Sequence, residues 1–423
     1  MKSIHVKKLT IGEGMPKIAV PVMAGSPEET IRKVSDAAAA ADLIELRADS
    51  CPEITEPERL QALLRGVSDA AGGKPVLFTV RTEPEGGLFR GSRKAYGEIL
   101  RNALLSGFTD LVDIEAFPSD GSPEMAEELV RIAHEQGAAV VLSSHDFAKT
   151  PDSGILLQRL RRMEQMGADI AKIACMPQSL SDADRMLAVS AAAKQELQIP
   201  FLAISMGEAG RKTRLSGEVY GSAVTFGCLP GEESAPGQVR ADVLREELIS
   251  LHGKLAGRKI LFLIGFMGTG KTTIAREAAR QLSLPLCEMD EEIERGAGRS
   301  ISAIFSEDGE EAFRDLETGL LADLYPSGSC VVSCGGGCPL RPGNRALMHA
   351  LGKVVCLTAE PETLLKRLAK EADKRPNIRE RFSAEGIREL MEKRRPAYEA
   401  AADIILTTDG RAPREIAEEI ISR

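Results

Sequence analysis

"ADIAKIACM", residues 168–176, is the stretch on which the reading of the fold turns. Small and apolar side chains dominate it, so it reads as a strand buried on both faces. Lys172 sits at its centre, where an ammonium is costly unless it is paired or gives up its proton. The same rhythm recurs on either side. Short apolar runs at 18–23, 42–49, 75–82, 111–117, 138–147, 201–207 and 223–229 alternate with amphipathic ones such as "SPEETIRKVSDAAAA" and "MAEELVRIAHEQG". Eight strands separated by helices predict an α/β fold, a (β/α)8 TIM barrel of about 250 residues. A doubly wound sheet is the alternative, but it calls for a glycine-rich first turn that "VPVMAGSPEE" lacks.

A second αβ rhythm begins at "GRKILFLIGFMG", with strands expected at 259–264, 284–289, 330–333, 353–358 and 403–407. It predicts a five-stranded parallel sheet with helices on both faces. The polar joint "HGKLAGRK" (252–259) puts the boundary near residue 256, giving domains 1–255 and 256–423, as a chain of 423 residues suggests. A net charge of -9 and a pI near 5.4 argue against a nucleic-acid or anionic-membrane surface. The chain has no Trp and only four Tyr, too few for base-stacking platforms. No apolar run reaches the roughly 18 residues of a membrane span, and the N-terminal stretch lacks a signal-peptide core. The eight cysteines are scattered, as in a protein kept reduced in the cytoplasm. "CGGGC" (Cys334 and Cys338) has no second Cys or His pair nearby to complete a metal site. A homodimer through the barrel half is an expectation that no motif carries.

In a barrel, functional side chains gather at the C-terminal ends of strands. There the sequence offers Glu45 and Arg47, Arg81 and then Glu85, His145, Lys172, and Arg214 in the loop after the seventh strand. A lone His at a strand end is more often structural, and a lone Arg or Glu there is usually a rim ion pair. The convergence of so many on one mouth favours chemistry. A lysine kept neutral by a water-poor site and neighbouring cations can attack a ketone and form an imine, whose protonated form acidifies the adjacent carbon. His145 is then the general base and acid, and arginines suit a substrate carboxylate. This is a Schiff-base lyase or aldolase for a small keto acid, with no cofactor.

"ELRAD", "TVRTEPEGG", "SSHDF", "AKIA", "GRKTRL" and "SAPGQ", in order and at matching spacing, resemble type I 3-dehydroquinate dehydratase across nearly all of residues 1–250. "VKKLTIGEGMPKI" is similar to that family's N-terminal hairpin. The resemblance implies imine formation between Lys172 and the C3 ketone of 3-dehydroquinate. His145 then removes the C2 proton and assists loss of the C1 hydroxyl, with Glu85 in support. By the same resemblance Arg214 holds the carboxylate, Glu45, Arg47 and Arg81 hold ring hydroxyls and order the site, and Ser234 and Gln238 belong to a loop that closes over substrate.

"GFMGTGKT", residues 265–272, fits G-x-x-x-x-G-K-[ST] between the apolar "KILFLI" and the helical "TTIAREAARQL", the context of a phosphate loop. Backbone N–H groups along Gly265, Gly268, Thr269, Gly270 and Thr273 would point at the phosphates of ATP, aided by the helix dipole. Lys271 would pair with the β/γ-phosphates and the Thr272 hydroxyl would ligate Mg²⁺. A GTPase would want N-K-x-D, which is absent. "CEMDEEIE", "EEAFRDLE", "CGGGC", "KRPN" and "KRRPAY" together resemble shikimate kinase along residues 258–423. The resemblance implies that Asp290 takes the proton of the shikimate hydroxyl and that Arg314 and Arg394 clamp its carboxylate. It sets Gly335, Gly336 and Gly337 beside the substrate, Arg375 in the lid, and Arg367 and Arg411 on the adenine side. Glu288 stands where the family usually has aspartate near Mg²⁺, and the lid reads "RPNI" rather than "RPLL".

The expectation is a bifunctional enzyme with two sites and three small-molecule substrates: 3-dehydroquinate, shikimate and ATP. An imine aldolase fused to a kinase for another small polyol is opposed by the motif set of each half. The alternative from another class is that one half has lost catalysis and serves as a ligand-sensing or scaffolding module. Intact Lys172, His145, Lys271 and Asp290 weigh against it.

Overall fold

The structure, a computed structural model, describes residues 3–117, 124–233, 237–369 and 384–423. It divides into two compact units, residues 1–253 and 254–423.

The first unit opens with an antiparallel hairpin, β1 (Ile4–Val6) and β2 (Leu9–Ile11). Eight parallel strands follow: β3 (Lys17–Val22), β4 (Leu43–Arg47), β5 (Val76–Thr79), β6 (Leu111–Glu115), β7 (Ala139–Asp146), β8 (Ile170–Cys175), β9 (Phe201–Ser205) and β10 (Val224–Cys228). Each pairs with the next from β3 to β9, and β10 returns to pair with β3. A single parallel bridge, Phe201 to Ser222, joins the remaining gap and closes the ring. A short strand, β11 (Val239–Arg240), extends the sheet beside the end of β10, an addition that a two-residue segment does not announce in sequence.

Period-2 alternation sorts every barrel strand into an outer and an inner face. Outward residues such as Ile44, Phe78, Val112, Val140 and Ala171 pack against the helices in one large apolar cluster. Inward, the bottom of the barrel is apolar: Ala19, Leu43, Leu77, Leu111, Val141, Ile170, Leu202 and Val224 form a second cluster, which Val6 and Ile11 of the hairpin cover. Helices start where their caps allow. Ser26 accepts from the Glu29 N–H ahead of Pro27–Ala40, and Ser179 from the Asp182 N–H ahead of Leu180–Glu196. Each cap is worth about 1 kcal/mol.

The second unit is a parallel sheet of β12 (Ile260–Gly265), β13 (Leu286–Glu288), β14 (Cys330–Ser333), β15 (Lys353–Thr358) and β16 (Ile404–Thr407), in the order β13-β14-β12-β15-β16. β13 is three residues long, shorter than the run 284–289 suggested. β12 is central, flanked by β14 and β15, so the order reverses there and a crevice opens at the strand ends, where such sheets bind ligands. Gly265 ends β12 at φ +148°, and a Cβ there would stand 2.3 Å from the Leu357 carbonyl oxygen. Only glycine lets the chain turn away here into helix Lys271–Leu282.

Candidate active sites

Above the apolar floor of the first unit, the inward positions change character on one half of the ring. Two and four residues beyond the floor stand Glu45 and Arg47 on β4, Thr79 and then Arg81 on and just past β5, and Asp113 and Glu115 on β6. Ser143 and His145 follow on β7, and Lys172 on β8. On β9 and β10 the equivalent positions, Ile204 and Phe226, remain apolar. The mouth is therefore charged on one side and greasy on the other.

Lys172, only 5% exposed, is held between carboxylates: its Nζ lies 3.4 Å from Glu45 Oε1 and 3.3 Å from Asp113 Oδ2, and 4.7 Å from the centre of the Phe226 ring. Its nearest polar partners are thus acids rather than the cations expected from sequence, which answers how a lysine can sit mid-strand. Arg81 ties the acids together. Its Nη1 donates to Ser143 Oγ at 2.9 Å and faces Glu85 and Glu115 at 3.3 and 3.4 Å, and its Nη2 faces Asp113 Oδ1 at 2.9 Å. Arg47 is instead clamped by Asp49 through two 2.9 Å bonds.

His145 Nδ1 lies 2.9 Å from Glu85 Oε2, which also accepts from the His145 backbone N–H at 3.2 Å. Burial, then the charges of Arg81, Lys172 and Arg47, hold His145 well below the usual imidazole range. Burial also pushes Glu85 up to about 8, against the pull of Arg81 and with the help of Glu115 and Asp113. The imidazole is therefore uncharged near neutrality, and with Nδ1 engaged by Glu85 the ring nitrogen left to face a ligand is Nε2. A depressed value means that the neutral imidazole persists above it and is lost only as pH falls through it. In a ¹H–¹⁵N titration the His145 ring should stay neutral well below pH 6.5, where an exposed His would be half protonated. A midpoint at or above 6.5 would contradict the arrangement.

Arg214 lies on the short helix Arg211–Leu215, is buried, and is lowered to about 10 by desolvation. Gln238 immediately precedes β11. Ser234 lies outside the described residues. Sequence reasoning missed Asp113, Glu115 and Ser143, although the i, i+2 spacing of the two acids in "LVDIEAF" put both on one strand face.

In the second unit, Lys271 Nζ donates to the carbonyls of Gly265 and Phe266 at 2.9 and 3.1 Å, folding back over the loop. Thr269 braces the same loop from Oγ1 to the Phe266 carbonyl at 2.8 Å. Thr272 Oγ1 lies 3.0 Å from Glu288 Oε2 and 3.3 Å from Ser333 Oγ. Thr273 is an exposed residue of the helix that the loop opens. Arg367 reaches the Gly268 carbonyl at 3.2 Å and Thr408 Oγ1 at 2.9 Å. Arg411 pairs with Glu419 at 2.6 Å.

The triple glycine is the meeting point of the other residues. A Cβ on Gly337 would stand 2.1 Å from Arg314 Nη1, and one on Gly335 would stand 2.5 Å from Glu317 Oε1 and 3.1 Å from Asp290 Oδ1. Tyr398 donates its hydroxyl to the Gly336 carbonyl. Burial raises that phenol to about 12, opposed by the charge of Arg394 and by its bond to the oxygen. Asp290, Arg314 and Arg394 therefore converge on one turn, with Arg314 held by Glu317 at 2.7 Å and Glu310 at 2.8 Å. Glu317 and Tyr398 were not singled out from sequence, and Arg375, with the whole "RPNI" segment, lies outside the described residues.

Comparison with known proteins matches residues 18–254 to the family model "Type I 3-dehydroquinase" and residues 267–423 to "Shikimate kinase". A 3-dehydroquinate dehydratase of Syntrophotalea carbinolica is 40% identical over 258 residues, 60% of this chain and 99% of that protein. One from Escherichia coli O157:H7 is 39% identical over 257 residues, again 60% and 99%. Among solved structures, a type I 3-dehydroquinate dehydratase of Clostridium difficile, carrying covalently modified comenic acid, superposes with a TM-score of 0.57. It is 35% identical and covers 60% of this chain and 98% of its own.

Proposed function

Because the chain belongs to the type I 3-dehydroquinase family through residues 18–254 and carries a shikimate kinase domain through residues 267–423, we propose how its residues divide the two reactions, with the boundary near residue 256. The single observation that carries the lyase assignment is Lys172, buried beside His145 and ion-paired on the charged half of the barrel mouth. Lys172 adds to the C3 ketone of 3-dehydroquinate and, with loss of water, forms a protonated imine that draws electrons from C2. His145 takes the C2 proton at Nε2 and returns one to the departing C1 hydroxyl, while Glu85 fixes the ring through Nδ1. Arg214 takes the carboxylate, Glu45, Arg47 and Arg81 order the ring hydroxyls, and Ser234 and Gln238 close over the bound substrate; the product is 3-dehydroshikimate. No cofactor enters this half.

In the kinase half Lys271 and the backbone of Gly265–Thr273 hold the phosphates of ATP, and Asp290 accepts the proton of the shikimate hydroxyl that attacks the γ-phosphorus. Arg314 and Arg394 grip the shikimate carboxylate, Arg375 meets the transferring phosphate, and Arg367 and Arg411 lie toward the nucleotide base. The hydroxyl of Thr272 and the carboxylate of Glu288, 3.0 Å apart with one buried Glu288 oxygen lacking a hydrogen bond, form an all-oxygen donor set that suits Mg²⁺. Bound there, the ion would neutralise phosphate charge. The free cysteines fit a reducing cytoplasm.

The two activities are not consecutive. Dehydration yields a ketone where shikimate has the hydroxyl to be phosphorylated, so Asp290 has no O–H to activate. Neither half carries a G-x-G-x-x-G turn after a strand for a hydride donor. Given 3-dehydroquinate, ATP, Mg²⁺ and NADPH, the chain should therefore accumulate 3-dehydroshikimate and make shikimate 3-phosphate only when shikimate dehydrogenase is added. With shikimate supplied directly, it should phosphorylate it. Failure of either half reaction in the intact chain would refute the corresponding assignment.

A further inference from the structure

The two carboxylates on Lys172 are held differently. Glu45 Oε1 has one further side-chain bond, from the neutral Thr79 hydroxyl at 3.2 Å. Asp113 is fixed on both oxygens: Oδ1 accepts from Ser143 Oγ at 2.6 Å and faces Arg81 Nη2 at 2.9 Å, while Oδ2 faces Lys172 Nζ at 3.3 Å. Its side chain is fully buried. Burial pushes the Asp113 carboxyl up, but Arg81, Lys172 and the Ser143 bond outweigh it and keep the group below the usual carboxylate range. It stays ionised and cannot swing away. Besides its contact with Lys172, Glu45 gives up only one neutral bond when a ligand hydroxyl draws it off.

We propose that Asp113 is the fixed counter-ion of the reacting nitrogen, while Glu45 lets go of Lys172 to bind the substrate. The inference rests on the imine reading of Lys172. The step balances around a constant charge: a lysine ammonium and a ketone give a protonated imine and one water. The C–N bond forms, the carbonyl oxygen leaves with two protons, and the nitrogen begins and ends with one positive charge. A carboxylate that never moves stabilises that charge at both ends and strengthens the electron sink between them. Other groups facing the nitrogen are Glu45 from β4, His145 from β7 and the Phe226 ring from β10, while Arg81 from beyond β5 meets it through the shared Asp113. Of the two acids, Asp113 alone is joined to Arg81.

The test uses the full-length chain with Asp113→Asn, Asp113→Glu and Ser143→Ala. Asn should lower dehydratase kcat by about 10²-fold, the scale of one lost charge-stabilising group, and change KM far less. Removing the negative partner also withdraws support from the protonated imine, so the rate of borohydride trapping at Lys172 should fall at every pH. Glu, which keeps the charge, should recover at least about tenfold of kcat. Ser143→Ala should move both readouts the same way by less, and it decides the matter if Asn does not fold. Equal losses in kcat and KM with an unchanged trapping rate would overturn the counter-ion role, as would Glu performing no better than Asn. Absence of trapping at Lys172 in the wild-type chain would instead refute the imine reading itself.

Discussion

Lys172→Ala should abolish dehydration, lowering kcat/KM by about 10⁵-fold or more, the scale seen when a covalent nucleophile is removed. Among the described residues no other amine pairs with Glu45 or Asp113, and Lys33, the other amine between two carboxylates at the strand ends, is engaged by Glu29 and Glu232. The substitution also leaves Glu45 and Asp113 buried without their shared cation. Breaking a buried ion pair typically costs about 3–5 kcal/mol, here softened because Arg81 still partners Asp113. An unpaired buried carboxylate has a folded pKa raised above its unfolded one, so the destabilisation is present above the unfolded value. It should shrink as pH falls and the acids protonate. Stopped assays with 3-dehydroquinate, together with urea melts of the first unit at pH 5 and pH 8, check both parts. Activity within a hundredfold of wild type would remove Lys172 from the reaction. A penalty equal at both pH values would show that the carboxylates do not depend on it.

Lys271→Ala should lower shikimate phosphorylation by at least about 10³-fold, as expected when a charge clamp on a transferring phosphoryl group is lost. The dehydratase rate should stay within a factor of two. The ammonium bonds to the loop carbonyls of Gly265 and Phe266 and is no member of the apolar cluster of the second unit, so the melt of that unit should shift by less than about 1 kcal/mol. Initial rates of both activities on the same preparation decide it. A parallel fall in dehydration with the fold intact would mean that the phosphate loop reaches the barrel's chemistry.

Both scaffolds were legible because their signals are local. Period-2 apolar runs and helical stretches repeat often enough to place eight barrel strands, and the phosphate loop declares itself in eight residues between a strand and a helix. The site was legible in part. Lys172, His145 and Arg81 stand out as polar residues at strand ends, yet what surrounds Lys172 could not be read. Its partners Glu45 and Asp113 lie 127 and 59 residues away in sequence, and only closure of the ring brings them to the same nitrogen. Asp113 was passed over because an acid in an apolar strand gives no sign of what faces it. Glu317 was hidden differently: on a helix, an Arg–Glu pair three apart looks like an ordinary surface bridge, until burial and the glycine turn show otherwise.

The return of β10 to β3 has a consequence for how the chain is made. The pairs Lys17–Val224 to Ala19–Phe226 join residues some 200 apart. At about 5–20 residues per second, the ribosome leaves the first barrel strand with an open flank for about 10–40 s before its partner emerges. An open strand flank is a template for pairing with other chains. Lys17 bonds toward β10 through its N–H to Ala223, whereas the Ile18 carbonyl serves β4. By alternation Pro21 faces the waiting flank, and it has no N–H to offer there. The native ladder on that side stops at Ala19 and loses nothing by it. Pro21 thus leaves β3 able to recruit β4 at once while spoiling the other flank for strangers. Nascent chains carrying Pro21→Val should aggregate more during synthesis, even if the finished barrel is just as stable.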